Sequence, residues 1–99
     1  MKYMANWKIH EDKRHQVLEF FAQMNLEDYK NEGGPSVKLI GRWHDLVRLG
    51  GTLIAETDDL EALNLWILKW NNVCDIEVAP VLDDDEAYAT TKKFLAERK

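Results

Sequence analysis

The stretch "VKLIGRWHDLVRLGGTLIAET" (residues 37–57) contains two β-rich runs, "VKLIGRW" and "GTLIAET", separated by a short polar connection that carries Gly50 and Gly51. Two such runs with glycine between them predict an antiparallel hairpin. Upstream, Tyr3, Ala5, Trp7 and Ile9 alternate with Met4, Asn6, Lys8 and His10, the period of a half-buried strand. Val17, Leu18, Phe20, Phe21 and Met24 then recur at helical spacing, after Glu11 and Asp12, whose charge suits a helix N-terminus. "NLEDYKNEGGPS" (25–36) combines Asn, Gly-Gly and Pro and reads as a surface loop. Downstream of the hairpin, "TDDLEALNLWILKWNN" (57–72) predicts a second helix, with Asp58 as its N-cap and Glu61 three residues on. "VCDIEVAPVL" alternates Cys74, Ile76 and Val78 against Asp75, Glu77 and Ala79, a fourth strand. "DDDEAYATTKKFLAERK" closes with a helix, acidic from Asp83 to Glu86 at its start and basic toward its end.

The hairpin is thus flanked on each side by one helix and one strand. This order, βαββαβ plus a C-terminal helix, predicts an α+β ferredoxin-like sandwich: a four-stranded antiparallel sheet with helices on one face, residues 1–99 forming one domain. Each strand carries two largely apolar sets, as if both faces were covered. The simplest cover for the helix-free face is the same face of a second copy, so a homodimer through sheet faces, the dimeric α+β barrel arrangement, is expected.

With 13 basic and 18 acidic residues the formal charge is −5, which disfavours nucleic acid and anionic membranes as partners. "MKYMANWKIH" lacks the apolar core of a signal peptide, and no run approaches the roughly 20 apolar residues of a membrane span, so a cytoplasmic location is expected. The single cysteine, Cys74, excludes an internal disulfide and reads as a buried, inert thiol. Four tryptophans in 99 residues point to a core, an interface or a ligand pocket.

Within "RWHD" (42–45), strand alternation puts Arg42 and His44 on one face and Gly41 and Trp43 on the other. Gly41 either lets Trp43 floor a pocket or makes room for Trp7 or Trp66 in the core, and core packing is the commoner use of aromatics. His44 and Asp45 point apart and form no oriented dyad; Asp45 is expected to begin the hairpin turn. His44 titrates near neutrality and is the first-choice proton carrier if the protein is an enzyme. Arg42 and Glu56 lie on paired strands and are candidates for a cross-strand ion pair. His10 and His15, five residues apart, share no helical face, and the Asp83–Glu86 run lacks the pattern of a calcium loop; no metal and no cofactor are expected.

The strings "MKYMANWKIHEDKRHQVLEFF", "VKLIGRWHDL", "AETDDLEALNLWILKWNN" and "DIEVAPVLDDDEA" together resemble the small bacterial family known as domain of unknown function 3303. The resemblance covers nearly the whole chain. It implies a ferredoxin-like, dimeric α+β barrel and brings no activity with it. The layout is more distantly similar to dimeric α+β barrel enzymes, cofactor-free monooxygenases and haem-degrading monooxygenases among them. The haem comparison does not carry over: an ungapped reading sets Trp7, not Asn6, at the first-strand Asn, and "KWNNVCDIEV" offers no histidine to the iron.

Three functions follow for test. The first is a small-molecule-binding barrel, its pocket lined by Trp7, Trp43, Trp66 and Trp70 with polar groups from Asn6, Arg42, His44, Glu56 and Asn71. The second is a cofactor-free monooxygenase or isomerase in which His44 moves a proton. The third is a non-catalytic dimerisation module. Whether the protein is an enzyme stays open at this level.

Overall fold

The structure is a computed structural model that describes residues 1–98. Four antiparallel strands, β1 (Lys2–Ile9), β2 (Lys38–Asp45), β3 (Gly50–Glu56) and β4 (Cys74–Val81), form one sheet in the order β2-β3-β1-β4. The helices are α1 (Arg14–Gln23), preceded by a short 3-10 turn at Glu11–Lys13, α2 (Leu26–Lys30), α3 (Leu60–Leu68) and α4 (Asp84–Glu97). This is the expected α+β ferredoxin-like layout.

The core lies between one sheet face and the helices. Ala5, Leu53 and Ala55 from the two central strands pack against Leu63 and Trp66 of α3, with Val37 closing the edge. Ile9, Val17 and Cys74 form a second buried group under α1. Small residues at 5 and 55 let α3 lie close enough to the sheet to bury Leu63 almost completely, at 1 % exposure. Thr57, buried just past β3, donates to the Ser36 carbonyl at 2.7 Å and accepts from the Asp59 N–H at 2.9 Å, tying the start of α3 to the loop before β2.

Several local expectations need correction. Residues 25–36 are not loop throughout: Asn25 accepts from the Asp28 N–H and starts α2, which buries Tyr29. The α3 N-cap is Asp59, one residue later than expected, because Thr57 already occupies the Asp59 N–H and the free Asp59 carboxylate reaches Ala62 N–H. Gly50 and Gly51 are the first residues of β3; the connection is Leu46–Leu49, started by Asp45 as expected, whose side chain accepts from Arg48 N–H at 3.1 Å. Leu49, not a glycine, takes the left-handed conformation there (φ 60°), held by the hydrogen bond from Ile9 N–H to its carbonyl.

A β-bulge at Ile40 decides what each side of β2 displays. Leu39 pairs with Ala55 but Gly41 pairs with Ile54, so one residue is extra and the alternation slips. Leu39, Arg42 and His44 consequently all face the helices, while Gly41 and Trp43 face away. Arg42 sits opposite Leu53 and Glu56 opposite Lys38, so no Arg42–Glu56 pair forms; Glu56 lies 3.8 Å from Lys2 on the other face. Gly41 makes room for neither Trp7 nor Trp66: the indole of Trp43 itself folds over it. No helix among the described residues is long and apolar enough to cross a membrane.

Candidate functional site: an aromatic cavity under the first two helices

A cavity of about 80 Å³ lies between the sheet and α1–α2. Its floor is Trp7, Leu53 and Ile76 of the strands, its roof Leu18 and Phe21 of α1, and its inner wall Tyr29, Trp66 and Trp70. Arg42 and His44 stand toward the edge of the sheet, beside Leu46 of the hairpin connection. Nearly all of the lining is hydrocarbon and aromatic, with two strong polar heads from one strand.

The aromatic groups are set by backbone pairing. Trp7 of β1, Gly51 of β3 and His44 of β2 are directly opposite one another across three strands. With no side chain on Gly51, the Trp7 indole lies across that gap and meets the His44 ring edge-on at 5.3 Å. His44 stacks on Phe21 at 5.1 Å, Phe21 meets Tyr29 at 5.0 Å, and Tyr29 meets Trp70 at 6.4 Å, giving a continuous chain of rings along the cavity. Trp66 and Trp70 both donate their indole N–H to one Glu32 carboxylate oxygen, Trp66 at 2.8 Å. Glu32 thereby satisfies both buried-side indoles and pins the loop after α2 to α3.

Arg42 is half-buried. Its guanidinium lies 3.6 Å from the centroid of the Tyr29 ring and donates to the Tyr29 carbonyl at 3.3 Å. Burial holds its pKa below the ordinary arginine value, while Tyr29 and Glu32 act in the opposite sense through space. Burial also raises the Tyr29 phenol, against the opposing influence of Arg42. The His44 imidazole is pushed down, first by burial and then by the Arg42 charge, which favours its uncharged form with a free lone pair. Among the described residues no carboxylate orients the ring through a hydrogen bond. The buried Cys74 thiol is raised by desolvation and by Asp75, the opposite of nucleophile activation.

Of the residues singled out from sequence, Trp7, Arg42, His44, Trp66 and Trp70 converge on this cavity. Asn6, Trp43 and Glu56 lie on the opposite face of the sheet, and Asn71 is exposed in the turn after α3. His10 pairs with Asp75 at 3.0 Å, whereas His15 is exposed on α1; among the described residues no group of three or more His, Cys, Asp or Glu could hold a metal. Phe21, Tyr29 and Glu32 were not foreseen at the site. The signal for two of them was present: Asn25 three residues before Asp28 is a helix start, and a helix there turns Tyr29 inward and Glu32 back toward α3.

A search of curated proteins finds no match to the chain. The family model described as domain of unknown function (DUF3303) matches residues 1–95, nearly the whole of the chain and every element that builds the cavity, and the protein belongs to that family.

Proposed function

We propose that this protein binds a small aromatic or apolar molecule in the cavity under α1 and α2. The observation that carries the reading is the lining itself: a partly open apolar space framed by Trp7, Phe21, Tyr29 and Trp70, with Arg42 and His44 as its polar heads. Ligand sites are mostly apolar with a few fixed polar contacts, and this one has that division. At about 80 Å³ it is smaller than the cavity of about 150 Å³ that takes benzene, so it suits a single ring or a short branched chain, with part of the ligand left at the mouth. Ligand-observed NMR against one-ring and short-chain compounds tests this. Binding by the wild type, lost in Leu18→Phe, which fills the roof from a half-buried helical position, is the expected result; no binder among such compounds refutes it.

A second reading, cofactor-free proton transfer by His44, draws on the neutral imidazole at the edge of an apolar cavity. It requires turnover of a bound compound that His44→Gln abolishes without weakening binding. We further propose that the working unit is a homodimer through the helix-free sheet faces. Met4 and Ile54, directly paired at the centre of that face, and Trp43 beside them support this arrangement.

A further inference from the structure

We propose that the ligand of this cavity is an acid: a small apolar or aromatic carboxylate whose carboxylate group is held by Arg42 while its hydrocarbon part enters between Phe21, Trp7 and Trp70. This deepens the binding reading above and rests on it. Three independent features support it.

The first is the unneutralised state of Arg42. No carboxylate among the described residues lies within salt-bridge distance of it, whereas elsewhere Lys2 and Arg48 each find carboxylate partners. Glu32 influences Arg42 only through space, and one of its oxygens is taken by two indole N–H groups. A half-buried guanidinium with one protein hydrogen bond, to the Tyr29 carbonyl, retains donors for a planar, two-oxygen acceptor.

The second is preorganisation. The Arg42 guanidinium packs 3.6 Å from the Tyr29 ring centroid and donates to the Tyr29 carbonyl, and the bulge at Ile40 aims Arg42 at the helix side of the sheet. The fork is fixed before any ligand arrives, so little side-chain entropy is lost on binding.

The third is the charge pattern. Arg42 also lines a groove along the outer edge of β2, between that strand and α2, together with Lys30 and Lys38. None of the groove residues is acidic, in a chain whose formal charge is −5. This groove meets the aromatic cavity at Arg42, His44, Phe21 and Tyr29, which line both. An anion is drawn to the groove side while its apolar end meets the rings. His44, which lines both spaces, can exchange one hydrogen bond with the same ligand at that edge.

Two matched pairs test the proposal by isothermal titration and tryptophan fluorescence in low-salt buffer: benzoate against benzamide, and 3-methylbutanoate against 3-methylbutanamide. Members of a pair match in size and shape and differ in charge. The expected result is that at least one acid binds about tenfold or more tightly than its amide, the advantage shrinking as salt rises. In Arg42→Met, whose side chain keeps an apolar stem over Tyr29, the acid should fall to the level of the amide while the amide binds as before. Equal binding of acid and amide by the wild type overturns the acid assignment and leaves the apolar pocket standing. An acid preference that survives in folded Arg42→Met also overturns it, because the charge responsible then lies elsewhere. If neither member of either pair binds, both the assignment and the binding reading fall. The wild-type comparison needs no variant, so it decides even if Arg42→Met does not fold.

Discussion

Gly51 has bare backbone on the crowded helix-facing side of β3, and that bareness sets the neighbouring rings. A Cβ there would stand 2.3 Å from the Trp7 indole and 2.5 Å from the Trp43 carbonyl oxygen, which is backbone and cannot swing away. Gly51→Ala is therefore expected to destabilise the fold by about 1–3 kcal/mol and to separate Trp7 from His44. A urea titration measures the first effect and the chemical shift of the His44 ring the second; an unchanged midpoint would mean that the strand relaxes freely at this point. His44 itself is expected to carry a pH dependence. Its folded-state pKa is lowered by burial and by Arg42, so the unfolded chain binds the proton more readily. Stability should thus be undiminished above the unfolded histidine value of about 6.5 and fall as pH drops through it toward the folded value. Comparison of urea midpoints at pH 7.5 and 5.5 for wild type and His44→Gln isolates this contribution, which the variant should lack. At this scale the sequence was readable up to a point: alternation placed Arg42 with His44 and apart from Trp43. Which face of the sheet they occupied was not legible, because it depends on one extra residue at Ile40, and a bulge of that kind is set by how β2 must lie on β3 and α2, not by a local pattern.

At the level of elements, α2 shows how a five-residue helix can govern a site. It is too short to be stable alone, and Gly33, Gly34 and Pro35 follow it closely, so its composition reads as loop. It forms because Asn25 caps it and because Tyr29, 8 % exposed, is buried against the ring array. Tyr29 then packs against the Arg42 guanidinium. Asn25→Ala should cost about 0.5–2 kcal/mol, the ordinary worth of such a cap, and because α2 belongs to the site it should weaken ligand binding more than it weakens the fold. Hydrogen exchange at the Asp28 and Tyr29 amides, together with binding of the best acid, checks this; faster exchange with unchanged affinity would separate α2 from recognition. By contrast the start of α4 was legible from its acidic run, and Asp83 and Glu86 add a reciprocal capping box there; the basic end expected from the sequence is not found in the last turn, since Lys92 and Lys93 lie mid-helix, Arg98 is the C-cap and Lys99 lies outside the described residues. The difference is that α4 is specified by its own residues, whereas α2 is specified by what Tyr29 finds beneath it.

For the whole molecule, the helices cover one sheet face and leave the other open. That open face is neither a plain solvated surface nor a bare apolar one. Met4 and Ile54 sit side by side at its centre, Ala79 borders Met4 on β4, and Trp43 lies on β2, 61 % exposed. Around them stand Lys2 and Lys8 of β1 and the acidic Asp75 and Glu77 of β4, charges of both signs on neighbouring strands. An isologous dimer needs a surface that is complementary to itself, and apolar groups flanked by charges of both signs are what the proposed sheet-to-sheet pairing would use. α4 points the same way: all of its residues are exposed, Tyr88, Phe94 and Leu95 among them, and the molecule is drawn out to 56 × 29 × 19 Å. The exposed Tyr88, Phe94 and Leu95, on a helix that is otherwise largely charged and polar, would gain burial from a second chain. The expectation is a particle of twice the 11.6 kDa chain mass by light scattering at micromolar concentration. Ile54→Lys should convert it to a folded monomer, because the substitution sets like charges against each other across the two-fold axis while leaving the helix-facing core untouched. Since the aromatic cavity lies on the far side of the sheet, that monomer should keep its affinity for the acid. A wild-type monomer, or an Ile54→Lys dimer, would remove the open face as the interface.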